Sequence, residues 1–248
     1  MPDTTDLDVF WNSAPAPLGP FDPDWLKGLP DPARRYLTHA LQPGAPLAQA
    51  VRLSMHGEIK LGAWRSFKAE EVIRWDRGMI WRATVRMMGV PVHGSDRLVD
   101  GVGAQRWKLL GLIPVMTADG PDVARSTAGR MAAEAIWLPT VLAHDDVTWT
   151  AMDAHRAKAA FTVQGEPVEL TLTVDDDGRL EAVTLPRWGD PDNGPFREVA
   201  FGGVMEAERT VDGITIPTQL RIGWYPGTDR FATEGEFFRA TVDDVTFR

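Results

Sequence analysis

Cysteine is absent from the chain, tyrosine occurs only twice, and no apolar run approaches the roughly 18 residues that a membrane-spanning helix needs. Without cysteine there are no disulfides, no thiolate metal ligands and no cysteine nucleophile. The N-terminal stretch MPDTTDLDVFWNSAPAP carries three aspartates and no basic residue ahead of an apolar run, unlike a secretory leader. These absences point to a cytoplasmic protein.

Motifs for common chemistries are also missing. There is no G-x-x-x-x-G-K-[ST], no G-x-G-x-x-G after a strand, no G-x-S-x-G and no H-E-x-x-H, so nucleotide hydrolysis, dinucleotide redox chemistry and ordinary serine-hydrolase chemistry lose their signatures. GVGAQRW at 101–107 runs into a strand and reads as a turn. His39, His56, His93, His144 and His155 are scattered with no pair at metal spacing, so no metal and no cofactor is expected. A net charge of −9 without a basic run argues against nucleic acid, and the tightest charge cluster, Asp175 to Asp177, reads as a solvated turn.

What is present is ordinary globular usage, 44% hydrophobic and 25% charged, over a length that one β domain fills, so residues 1–248 are expected to form a single domain. Seven prolines fall within residues 1–32, alongside Phe10, Trp11, Phe21, Trp25 and Leu26. This predicts an extended arm anchored by aromatics. LPDPARRYLTHAL then predicts a helix over 33–41, with Asp31 as N-cap, Pro32 in the first turn and an apolar stripe at Tyr36, Leu37, Ala40 and Leu41.

From residue 49 the period changes to two. AVRLSMHGEIKL sets Val51, Leu53 and Met55 against Arg52, Ser54 and His56, and MIWRATVRMM repeats the pattern. A first β meander is expected over 49–110, a break at GLIPVMTADGPD, a central helix over 123–138 with Asp122 as N-cap and Pro139 as its stop, and a second meander over 147–248. Asp177-Gly178 and Asp212-Gly213 read as hairpin turns in which both positions take positive φ. The expectation is a mainly β (α+β) fold of about ten to eleven antiparallel strands in a strongly curved half-barrel, with two helices, one packed in the concave face.

LPDPARRYL, W-x-x-F-x-A-E at Trp64 to Glu70, R-x-x-x-E-x-x-W-L-P at Arg130 to Pro139 and the Arg187-Trp188 pair resemble an uncharacterised bacterial family from about residue 29 onward. In topology the pattern resembles the curved half-barrels of bacterial lipoprotein carriers, which implies a concave apolar face for acyl chains and a lipocalin-like cavity.

Candidate site residues follow from spacing. PVHGSD sets His93 and Asp96 around Gly94, where a bulge would aim both at one point as base and orienting carboxylate; the alternative is a polar strand end. On helical spacing, Val123, Ser126, Thr127, Arg130, Glu134 and Trp137 form one strip beside an Ala-rich apolar one. Arg130 and Glu134 either line a pocket or pair on the surface. Ten tryptophans supply rigid apolar walls, with Trp75, Trp81, Trp107, Trp137 and Trp188 as candidate ligand contacts and Arg187 as a carboxylate-binding rim residue.

Three functions fit. The first is binding of an apolar small molecule, such as a lipid, polyketide or terpenoid, bearing an anionic or carbonyl group read by Arg130 or Arg187. The second is a cofactor-independent acid–base enzyme, an isomerase, cyclase or lyase, with Glu134 and His93 as acid and base. The third is a protein-interaction scaffold, which predicts a large exposed apolar patch and no cavity. The sequence points to no particular oligomeric state.

Overall fold

The computed structural model describes residues 7–192 and 194–248, so the first six positions of the proline-rich segment, Pro2 among them, lie outside the described residues. Two helices precede the sheet, α1 at Leu7–Asn12 and α2 at Asp31–Ala40. Six strands follow: β1 Ala50–Leu61, β2 Ala63–Arg74, β3 Gly78–Met87, β4 Val90–Val99, β5 Val102–Leu109 and β6 Ile113–Asp119. Helix α3, Pro121–Ala133, leads through a 3-10 turn at Glu134–Trp137 to the remaining strands. These are β7 Thr148–Ala151, β8 Arg156–Val163, β9 Glu166–Val174, β10 Leu180–Gly189, β11 Arg197–Val211, β12 Ile214–Trp224 and β13 Glu236–Phe247.

All thirteen strands join one open antiparallel sheet in the order 6-5-4-3-2-1-13-12-11-10-9-8-7. First and last strands therefore pair at its centre, and β6 and β7, consecutive in the chain, are its two edges. The segment between them has to cross the whole sheet. A sheet this wide curls rather than staying flat, and α3 crosses on the concave side, packing against β4, β5, β9 and β10. The halves are tied where the Gly101 amide of one hairpin donates to Gln164 Oε1 of another at 3.1 Å. Because β6 and β7 do not pair with each other, no lipocalin-like closed barrel forms.

The strand count is thirteen rather than ten or eleven. The segment read as a break contains β6, whose side chains are nearly all exposed. An edge strand with no buried face leaves no alternation to read. Residues 1–32 are not extended throughout either: α1 lays Leu7 and Phe10 on Val72 and Ile80, on the convex side of β2 and β3. Phe21 and Leu26 are buried, whereas Trp25 is half exposed and meets Phe21 edge-on, ring centres 6.1 Å apart.

Helix boundaries shift for reasons of backbone chemistry. Pro30 rather than Asp31 is the cap residue of α2, and Asp31 sits inside the first turn, accepting from Arg35 Nε at 2.9 Å. Gly120, with φ of 101°, precedes α3 in place of the expected Asp122 cap. The α-helix stops at Ala133, and the predicted last turn tightens to 3-10 before Pro139. Asp212 and Gly213 both have positive φ, as the hairpin reading requires. At Asp177-Gly178 only the glycine does, and the Asp175 carboxylate closes that longer turn by accepting from the Asp177 and Arg179 amides.

Candidate functional site

Between α3 and the concave face lies a cavity of about 290 Å³, with Ile59, Phe201, Ile222, Trp224, Phe237 and Phe238 among its apolar walls. The polar strip of α3 faces it: Val123, Ser126, Thr127 and Arg130 line the space, followed by Glu134 and Trp137 from the 3-10 turn. The Ala-rich strip, Ala128, Met131 and Ala132, is buried in the core. Gly129 makes room for the neighbouring sheet, since a Cβ there would stand 3.0 Å from Arg187 Cγ.

Strand register builds the polar end. Glu71 of β2 pairs with Trp81 of β3, Trp81 with Asp96 of β4, and Asp96 with Gln105 of β5, so the four share one row on the concave face. Arg130 sits above that row. Its guanidinium carbon lies 5.1 Å from the centre of the Trp81 ring, Nη2 donates to Glu71 Oε1 at 3.1 Å, Nη1 to Asp96 Oδ2 at 3.4 Å and Nε to Glu134 Oε1 at 2.6 Å. Burial alone would lower the Arg130 pKa; the charges of Glu134, Glu71 and Asp96 outweigh it and raise the value above the ordinary one.

Three carboxyls on one arginine are too many to be ionised in a dry site. Glu71 is completely buried, and burial, then the charge of Glu134, hold its pKa well above the usual carboxylate range despite Arg130. The Oε2 atoms of Glu71 and Glu134 are both buried with no hydrogen-bond partner. A proton on Glu71 would turn one of these oxygens into a donor beside Glu134, the neighbour that helps to raise its pKa. Asp96 is also raised by burial, against the pull of Arg130 and of the Trp107 indole N–H, which donates to its Oδ1 at 2.9 Å.

Arg187 reaches the cavity from β10. Its Nε donates to the Ser126 carbonyl at 3.0 Å and Nη2 to Ser126 Oγ at 3.3 Å, while the guanidinium lies 4.4 Å from the Phe201 ring centre and 5.2 Å from that of Trp224. It forms no ion pair among the described residues. Burial, then repulsion by Arg130, pull its pKa down to about 10, which leaves it charged.

Arg130, Glu134, Asp96, Trp81, Trp137 and Arg187 are thus brought to one cavity, and four other candidates are not. His93 points to the opposite face, where Nδ1 lies 3.0 Å from Thr84 Oγ1. Three residues apart on an unbulged strand, it and Asp96 cannot share a side. Gly94 forms no bulge; it admits the Trp107 ring, which a Cβ would meet at 2.2 Å. Trp107 accordingly supports Asp96 from beside the cavity. Trp75 follows the end of β2 and packs on Phe161, ring centres 5.8 Å apart. Trp188 alternates away from Arg187, donates to Asp122 Oδ1 at 2.8 Å and carries the Arg125 guanidinium 4.1 Å from its ring centre.

Glu71 was missed from sequence, as were Phe201 and Trp224. A signal for Glu71 exists: it occupies the apolar phase of β2, between Ala69 and Ile73. Trp81 Nε1 is a further buried donor with no partner. Among the described residues, no group of three His, Cys, Asp or Glu side chains is set to hold a metal ion, and no helix is long and apolar enough to cross a membrane.

A family model described as "Family of unknown function (DUF6920)" matches residues 27–247. The comparison with curated proteins finds no significant match. Among solved structures, the chain is similar to an outer membrane lipoprotein-sorting protein domain from Vibrio parahaemolyticus, at 8% identity over 81% of this chain and 86% of that one, with a TM-score of 0.42. A LolA superfamily protein from Nitrosomonas europaea is similar at 10% identity over the same shares, with a TM-score of 0.40.

Proposed function

The chain belongs to this family of unknown function, and from its own residues we propose that it is a cytoplasmic binding protein for an apolar small molecule bearing an anionic or carbonyl group. The observation that carries the reading is the cavity of about 290 Å³ with aromatic walls and one half-buried arginine, Arg187, that lacks a carboxylate partner among the described residues. Its size matches the lower end of small-molecule sites, about 300 to 1,000 Å³. An apolar body would pack on Phe201, Trp224 and Phe238, and the polar group would accept from Arg187. The compartment is proposed on composition, since a chain without cysteine gains nothing from an oxidising one. Thermal-shift and native mass-spectrometric screens with fatty acids, polyketides and terpenoids test the reading. Retention of one class at one-to-one stoichiometry supports it, and a protein indifferent to all three sinks it.

A second reading rests on the buried carboxyls beside Arg130. A carboxyl that burial holds well above the usual range, as at Glu71, is an arrangement acid–base catalysis uses. His93 has no part in it, so Asp96 and Glu134 would be the groups in contact with substrate. Conversion of a bound compound that stops in Glu134→Gln would favour catalysis over binding. The scaffold reading called for an exposed apolar patch together with a missing cavity, and the cavity described above is at odds with the second of these.

A further inference from the structure

The hairpins β3–β4 and β5–β6 turn at the same end of the sheet and lie side by side. Val92 pairs with Leu109, and the Leu110 amide donates to the Pro91 carbonyl at 3.0 Å. Their tips expose Met88 (84%), Leu112 (79%), Ile113 and Leu110. Met88 and Leu110 moreover occupy left-handed backbone, with φ of 51° and 52°, each before a glycine. The chain places aspartate at the equivalent position of two other turns, Asp100 and Asp212. A large apolar residue there is both strained and wet, so folding alone does not account for it.

Charge is segregated around the same tips. Residues 60–69, 84–95 and 107–118 hold none of the 35 acidic side chains of a chain with net charge −9. Register then aligns Lys68, Thr84, His93 and Lys108 in one row across the convex face, with Arg86 one step nearer the tips. No linear run of basic residues announces this, because three strands contribute one or two cations each. Lys68, Arg86 and Lys108 form no ion pair among the described residues and are exposed.

Wet apolar tips backed by unopposed cations are complementary to the boundary between acyl chains and anionic headgroups. We infer that this end of the sheet docks on an anionic lipid surface, with Met88, Leu110, Leu112 and Ile113 entering the headgroup layer and Lys68, Arg86 and Lys108 facing its charge. The inference goes beyond the cavity's ligand and does not depend on it.

Sedimentation of the full chain with phosphatidylcholine vesicles, with and without about a third phosphatidylglycerol, tests it at low and high salt. The protein should pellet with the anionic vesicles at low salt and be released at high salt. Met88→Asp combined with Leu112→Asp should weaken that binding by about tenfold at unchanged Tm, because both side chains are exposed. Arg86→Glu with Lys108→Glu should do the same. No pelleting with anionic vesicles, equal pelleting with neutral ones, or vesicle binding untouched by either pair overturns the inference. So does a stable dimer that the Met88→Asp, Leu112→Asp pair dissociates, which would assign the surface to a second copy.

Discussion

Two arginines face one cavity, Arg130 from α3 and Arg187 from β10, and their surroundings differ in almost every respect. Arg130 is held by Glu71, Asp96 and Glu134, and its charge is spent inside the protein. Arg187 has a serine hydroxyl, a carbonyl and two aromatic faces, and no carboxylate among the described residues. Withdrawing a charge from water with no carboxylate bonded to it costs stability, so a fold selected for stability alone gains little from holding Arg187 half-buried there. The difference assigns Arg130 to holding the site together and Arg187 to recognition.

Removing Arg130 should have the largest effect. Arg130→Met leaves Asp96 and Glu134 buried without their counter-charge, and a loss of about 3 to 5 kcal/mol, or about 10 °C in Tm, is expected in thermal unfolding. Arg187→Met should do the opposite to the fold: equal or higher Tm, together with a roughly thirtyfold weaker affinity for any acid the wild type binds, corresponding to about 2 kcal/mol from charge-assisted hydrogen bonds. Similar losses of stability in both variants would break the comparison.

Glu71 sharpens the Arg130 side through pH. Its folded pKa is raised above the ordinary value of 4.5, so the stability it contributes is full below that value and is lost as pH rises through the folded pKa. Tm of the wild type should therefore fall with rising pH above the ordinary carboxylate range. Glu71→Gln keeps a donor toward Glu134 without a titrating group, and its Tm profile should be flatter over that window. A slope identical to that of the wild type would contradict the raised pKa of Glu71. The smallest effect is expected at Trp188, which lies outside the cavity: Trp188→Phe should alter ligand affinity by less than about twofold.

The period-two strands were legible because burial alternates along much of β1 and from Trp81 to Arg86 of β3, whose start is buried on both faces where α1 covers Ile80. The strip of α3 was legible for the same kind of reason, since Val123, Ser126, Thr127, Arg130 and Glu134 recur at helical spacing and do line the cavity. Recurrence within one element is local information. The row Glu71, Trp81, Asp96 and Gln105 is not local, because it exists only once four strands are in register. His93 failed by parity: the bulge that would have turned it toward Asp96 is absent, and Gly94 serves the Trp107 ring instead. Strand β6 failed because an exposed edge strand shows no buried phase.

Titrating the wild type and Arg187→Met with a medium-chain fatty acid and with the alcohol of the same chain length, followed by calorimetry, tests the recognition role of Arg187 most directly. The account predicts that the wild type binds the acid more tightly than the alcohol by at least about tenfold, and that Arg187→Met loses this preference while retaining weak binding of both. Equal affinity of the wild type for acid and alcohol, or a preference that survives in Arg187→Met, would contradict it.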